Sequence, residues 1–242
     1  MTQDHTLAEI VDRQPGAAPV LERHHLDYCC GGGRTLADAC AAAGIDPTPV
    51  LDELAHLADA ATSEPGAWTA MTPTQLADHI EAAHHHYLHY QLPRLSALAQ
   101  KVVGVHGARH VELARVQRSF EALRDDLEPH LAKEERILFP RIRQLDAAAD
   151  APETEGRSLS SPIQVMLSDH DRAGELLEEL RATTDGYRPP GDACASYRAL
   201  YEGLEELEAD THLHVHKENN VLFPAVLAIG SATGTGLSRR PR

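Results

Sequence analysis

The chain has 242 residues, 42% of them hydrophobic but only 4% aromatic, and a formal charge of −15 at neutral pH. That length buries a sizeable core packed mainly by aliphatic side chains, and it fits one large domain plus a small one. Lys and Arg are sparse and scattered, which argues against nucleic acid and anionic membranes as partners, and no stretch reaches the roughly 20 apolar residues of a membrane span.

The first residues, Met1 to His5, lack the basic start and apolar run of a signal peptide, so a cytoplasmic protein is expected. Thr6 to Val11 predicts a short helix, Ala17 to His25 a second, Thr35 to Ala43 a third behind a Thr cap, and Pro47 to Ala61 a fourth. Together they make a separate N-terminal domain over residues 1–62. Between the second and third helices lies Asp27-Tyr28-Cys29-Cys30-Gly31-Gly32. Adjacent cysteines do not bridge each other readily. Cys29 and Cys30 in a glycine-rich turn read as a site of thiol chemistry or transient metal capture, or equally as two small buried hydrophobes. Four cysteines in all make no secreted disulfide framework, and Cys40 and Cys194, in Ala-rich helical contexts, read as packing residues.

Residues 62–72 break the pattern and lead to Thr72-Pro73, a good helix start. Four long helices follow, over 73–103, 109–145, 160–184 and 192–229, with Ala147 to Ser161 as a linker and 230–242 as a disordered tail. The first places His85 on the face of Leu88, Leu92 and Leu95, with His89 its nearest rival. The second places His130 with Leu123, Leu127 and Ile137, and the third His170 with Ile163, Met166, Leu167 and Leu177. The fourth places His214 with Leu207 and Val221, while His212 and His216 share a face with Glu205, Glu208 and Asn220 that reads as solvated.

These histidines stand in a duplicated frame. His130-Leu-Ala-Lys-Glu134, followed by Leu138-Phe139-Pro140, recurs as His214-Val-His-Lys-Glu218, followed by Leu222-Phe223-Pro224, with every offset kept. His85 lies 45 residues before His130, and His170 lies 44 before His214. Residues four apart sit one above the other on a helix, so each copy aims an imidazole and a carboxylate at one point. A lone histidine on an apolar face is more often a satisfied core residue, but six matched positions outweigh that reading. Four imidazoles and two carboxylates exceed what a single tetrahedral zinc takes, and the His-x-x-x-Glu spacing is not that of a zinc protease. Burying two carboxylates is costly without compensating charge, which two divalent ions supply. The pattern also differs from the Glu-x-x-His of common di-iron carboxylate bundles and points to histidine-rich, hemerythrin-type ligation.

Asp27-Tyr28-Cys29-Cys30-Gly31-Gly32 followed by Thr35-Leu36-Ala37-Asp38-Ala39, the twofold His-x3-Glu-x3-Leu-Phe-Pro, and Ser168-Asp169-His170-Asp171-Arg172-Ala173-Gly174-Glu175 together resemble the RIC proteins, the YtfE/ScdA family for repair of iron centres. The likeness runs to about residue 228. It implies an all-α fold, a small ScdA-type domain followed by a hemerythrin-like bundle over 73–229. It also implies a non-haem di-iron centre bridged by oxygen and by Glu134 and Glu218, with His85, His130, His170 and His214 as the other ligands. The implied function is restoration of iron-sulfur clusters damaged by nitric oxide or peroxide, by supplying iron or handling nitric oxide; a nitric oxide reducing activity is also attributed to the family. Expected partners are damaged or apo iron-sulfur proteins, with nitric oxide or oxygen as small ligands, and a homodimer is left open.

This chain has Asp169 where relatives are expected to carry glutamate. Four histidines instead of the five of oxygen-carrying hemerythrins would leave open coordination for small ligands. Asp126 and Asp169 either guide iron outward or are ordinary solvated positions, and the Cys29-Cys30 turn is a candidate iron acceptor. His106, roughly 30 Å beyond His85 on a straight helix, is too far away to share the centre. Two other classes of function fit the same ligands: an oxygen or redox sensor or carrier without turnover, and an iron-store or metallochaperone protein.

Overall fold

Thr6 starts the first helix by a reciprocal cap, accepting the Glu9 N–H at 3.2 Å while the Glu9 carboxylate accepts the Thr6 N–H at 3.1 Å. In the computed structural model, which describes residues 1–60, 66–147 and 159–232, this opens α1 (Leu7–Arg13). It is followed by α2 (Ala18–Arg23), α3 (Leu36–Ala43) behind the Thr35 cap, and α4 (Pro47–Ala60). Gly44, with φ +69°, closes α3 in the left-handed region that glycine tolerates best. The predicted second helix is shorter than Ala17 to His25, because Pro15–Ala17 forms a 3-10 turn and His25 has positive φ.

The four long helices are present. The first is α5 (Pro73–Ile80), one π-helical turn (Glu81–His85) and α6 (His86–His106). The second is α7 (Leu113–Lys133), a π turn (Glu134–Leu138) and α8 (Phe139–Ala147). The third is α9 (Ser160–Thr183), and the fourth is α10 (Ala195–His216), a π turn (Lys217–Leu222) and α11 (Phe223–Ala232). Every regular element among the described residues is helical; the one β-type contact is an isolated bridge between Thr6 and Thr35. Most of the predicted linker over 147–161, residues 61–65, and the predicted tail beyond 232 lie outside the described residues.

The chain divides into two compact units, residues 80–139 with 164–211, and residues 1–79 with 140–163 and 212–242. In the former, Leu88, Leu92 and Leu95 of α6, Phe120, Leu123 and Leu127 of α7, Leu177 and Leu180 of α9, and Leu204 and Leu207 of α10 form one core. Each such leucine contributes about 1.5–3 kcal/mol by burial. Gly203 lets α10 approach α6 closely, since a Cβ there would sit 2.6 Å from Leu95 Cδ2. In the latter unit, Leu7, Ile10, Val11, Val20, Leu21, Leu36, Val50 and Leu54 are buried, and Trp68 Nε1 donates to Asp12 at 3.0 Å.

The π turns overturn two expectations. Ile137 and Val221 were expected on the core face, seven residues after His130 and His214. Ile137 is 50% exposed and Val221 only half-buried, while Leu138 and Leu222 are buried. A π turn inserts one residue into the helical period, so everything beyond it rotates by about one position.

Candidate metal centre

In the unit of residues 80–139 and 164–211, His85 ends one π turn and Glu134 begins another. His85 Nε2 lies 3.4 Å and His130 Nε2 3.3 Å from the same oxygen, Glu134 Oε2. His170 Nε2 is 3.2 Å from His130 Nε2, and His130, Glu134 and His170 offer ligand atoms all within 4.8 Å of one another. All four side chains are buried, Glu134 completely.

The outer ring nitrogens explain why the inner ones point inward. His85 Nδ1 is 3.1 Å from Glu135 Oε1, and His130 Nδ1 is 3.3 Å from Asp169 Oδ2. Ionised carboxylates only accept, so each Nδ1 carries a proton, and in the neutral imidazole that binds a metal each Nε2 turns a lone pair inward. Two lone pairs then face a carboxylate oxygen at 3.3–3.4 Å, acceptor against acceptor. Such a set could hold a shared cation, and imidazole with carboxylate suits a divalent transition metal. The residues fit the group that the ligand pattern implies. Phe139, its ring 5.3 Å from His85 and stacked on it, holds that imidazole on its apolar side.

In the unit that holds residues 212–232, His214 Nε2 lies 3.3 Å from Glu218 Oε1, both side chains buried. This pair repeats the His130–Glu134 spacing and likewise straddles the start of a π turn.

The other histidines of the first long helix have different partners. His89 is half exposed and shares Glu135 Oε1 at 2.7 Å. His84, buried one residue before His85, meets Asp210 at 2.8 Å. Asp169 is bound by Lys133 at 3.0 Å as well as by His130, and Asp126 forms an ion pair with Arg172 at 3.7 Å. Burial raises the Asp169 pKa, but the bonds from Lys133 and His130 outweigh it and hold the carboxyl below its ordinary range.

Three sequence expectations are corrected. His216, expected on a solvated face, is fully buried, with Nδ1 3.2 Å from the Tyr28 carbonyl and Nε2 3.0 Å from Asp12. Glu208, expected on that face too, is buried because Arg181 covers it, Nη2 to Oε2 at 2.6 Å. Cys194, expected to pack in a helix, is exposed just before α10 and lies 3.1 Å from His106 Nε2. The signal missed for His216 is tertiary, since its partners come from the N-terminal segment.

The Cys29-Cys30 turn is held by Asp27 Oδ1, which accepts the Cys29 N–H at 3.1 Å, the Cys30 N–H at 2.9 Å and the Cys29 thiol at 3.2 Å. Both thiols are free, Cys30 exposed and Cys29 buried. The hydrogen bond to Cys30, burial, and the nearby Cys30 and Asp27 charges push the Cys29 thiol well up. Asp27, Cys29 and Cys30 together form a further group whose donor atoms lie within reach of one ion. Asn220 Nδ2 donates to the Cys29 carbonyl at 2.9 Å and to that of Tyr28 at 3.3 Å, tying the turn to the last π turn.

Residues 76–226 match the hemerythrin HHE cation binding domain, and residues 3–58 match ScdA_N, a domain of unknown function. The chain is 38% identical over 226 residues to the iron-sulfur cluster repair protein YtfE of Enterobacter sp. (strain 638), covering 93% of this chain and 98% of the relative. The proteins of the same name from Shigella boydii serotype 4 (strain Sb227) and Escherichia coli O1:K1 / APEC are 37% identical with the same coverage.

Proposed function

The chain belongs to the YtfE family of iron-sulfur cluster repair proteins and carries the hemerythrin HHE cation-binding domain, and from that premise we propose that it repairs iron-sulfur clusters damaged by nitrosative or oxidative stress. In this reading His85, His130, Glu134, His170, His214 and Glu218 would hold two irons, the imidazoles as neutral donors and the two carboxylates as the charges that offset the ions. Support comes from the repeated spacing of the two His-Glu pairs and from a single family match that spans all six residues. The observation that carries the reading is the set of inward lone pairs of His85 and His130 against Glu134 Oε2.

Bound iron would supply redox change and open positions for nitric oxide or oxygen. The protein's own residues do the rest. Glu135 and Asp169 fix the imidazole tautomers, and Phe139 keeps water from the His85 ring. Cys30, exposed beside Asp27, is the candidate receiver of iron passing to or from a client, a damaged or apo iron-sulfur protein. The buried Cys29 thiol, kept protonated, supports a lesser part in that step. The four free cysteines agree with a reducing compartment such as the cytoplasm. The domain division that accompanies this reading is 1–62 and 73–229, in keeping with the extents of the two family matches.

Elemental analysis of protein purified without added metal, with an absorption spectrum, tests the centre. About two irons per chain with near-ultraviolet oxo-bridge bands is expected; one zinc, or no metal after anaerobic iron loading, removes the chemical basis. Iron transfer to an apo-cluster protein then tests repair, and its loss in Cys29→Ser/Cys30→Ser with unchanged iron content is the outcome expected for the turn.

A further inference from the structure

Away from the carboxylate-histidine group, a second pairing of reactive side chains lies within the unit of residues 80–139 and 164–211. Cys194 is exposed, and its carbonyl accepts the Arg198 N–H at 3.0 Å, which makes it the N-cap residue of the 22-residue α10. Negative charge is favoured at that end of a helix. His106, the last residue of α6, is only 5% exposed and aims Nε2 at the sulfur at 3.1 Å, while its Nδ1 has no partner among the described residues. The Tyr197 ring, 5.4 Å away, covers the imidazole.

The neighbouring histidine is not available for the same task. His110 is held by Asp192 at 3.1 Å through Nε2 and by Glu112 at 3.3 Å through Nδ1. Glu112 also accepts from Tyr197 Oη at 3.5 Å. Among the described residues no third donor joins Cys194 and His106 in a group that could hold an ion, so the pair lacks the makings of a metal site. What remains is a thiol with a buried base in line with it and an open side toward solvent, the arrangement of an activated nucleophile.

We propose that Cys194 and His106 form a thiol-disulfide exchange site that takes small disulfides and is separate from the metal centre. The Cys194 proton passes to His106 Nε2 as Sγ attacks one sulfur of the disulfide. The Sγ–S bond forms and the S–S bond breaks; the leaving sulfur departs with the bonding pair and takes the proton from His106. The disulfide is reduced to one thiol, and Cys194 is oxidised to a mixed disulfide that a second small thiol can release.

Exposure of the full-length protein to dithiodipyridine, quenched at intervals and resolved by peptide mass spectrometry, gives the rate at Cys194 in the unaltered chain. That rate is expected to exceed the rate of N-acetylcysteine at the same pH by about tenfold or more. In His106→Gln the rate should return to that of the free thiol, with far-ultraviolet circular dichroism unchanged. A Cys194 rate in the unaltered chain no greater than that of N-acetylcysteine would overturn the site whether or not the variant folds. A fast rate that survives His106→Gln would overturn the role of the imidazole.

Discussion

Glu135 and Asp169 bond the outer nitrogens of His85 and His130, and so determine which nitrogen of each ring faces inward. Glu135→Gln or Asp169→Asn keeps the shape and removes the obligatory acceptor. Each should weaken metal binding about 10- to 100-fold with helicity intact, read by competition with a chelator. Equal affinity in both variants would sink the tautomer argument. Asp169 stands below its ordinary range because Lys133 and His130 outweigh burial. It therefore stays an acceptor until the pH falls below the normal carboxylate value. At this scale much was legible: the six histidines and glutamates of the duplicated frame are all buried, as spacing predicts. Their second partners were not, because Glu135 and Asp169 sit on polar positions that a helical wheel assigns to solvent. The burial of His84 beside His85 was not legible either, since a π turn buries both.

Among the described residues three π turns interrupt three of the long helices, and each contains or ends on a proposed ligand. Periodicity found the helices but assumed one period throughout, and so put Ile137 and Val221 inside. Truncation separates the two registers. Leu138→Ala should cost about 2–4 kcal/mol in urea unfolding, as a buried leucine does, and Ile137→Ala less than about 1 kcal/mol. A regular helix would reverse that order. Capping was read more reliably because its signal is local: Thr35 is the expected cap of α3, while Thr6, expected as the first residue of its helix, caps α1 from one residue outside. Asp46, ahead of α4, accepts from the N–H and hydroxyl of Thr48, and these two bonds hold its carboxyl below the ordinary range. Its folded pKa is the lower one, so its stabilisation is present above the unfolded value of roughly 3.9 and is lost as pH falls through the folded value. Asp46→Asn should therefore lower the melting temperature at pH 7 and leave it nearly unchanged near pH 2.

The N-terminal segment and residues 212–232 fall in one compact unit, although the chain between them is long. His216 bonds to Tyr28 across a separation of 188 residues, which is why no reading of helix four alone could see that its outer face is covered. The helical wheel was right about the pattern and wrong about what lies against it. The same contact explains a glycine. A Cβ on Gly32 would sit 2.5 Å from the Tyr28 carbonyl and 2.6 Å from Asn220 Oδ1, so any side chain there forces the turn off the last π turn. Such overpacking costs about 1–3 kcal/mol. Gly32→Ala should then expose the Cys29-Cys30 turn to limited proteolysis sooner than in the parent protein. His85, His130, Glu134 and His170, which belong to the other unit, should keep their share of metal binding. Early cleavage near residue 30 with metal content retained would show that the turn and the centre fail separately. Loss of metal in step with cleavage would mean that the N-terminal segment is part of what holds His214 and Glu218 in place.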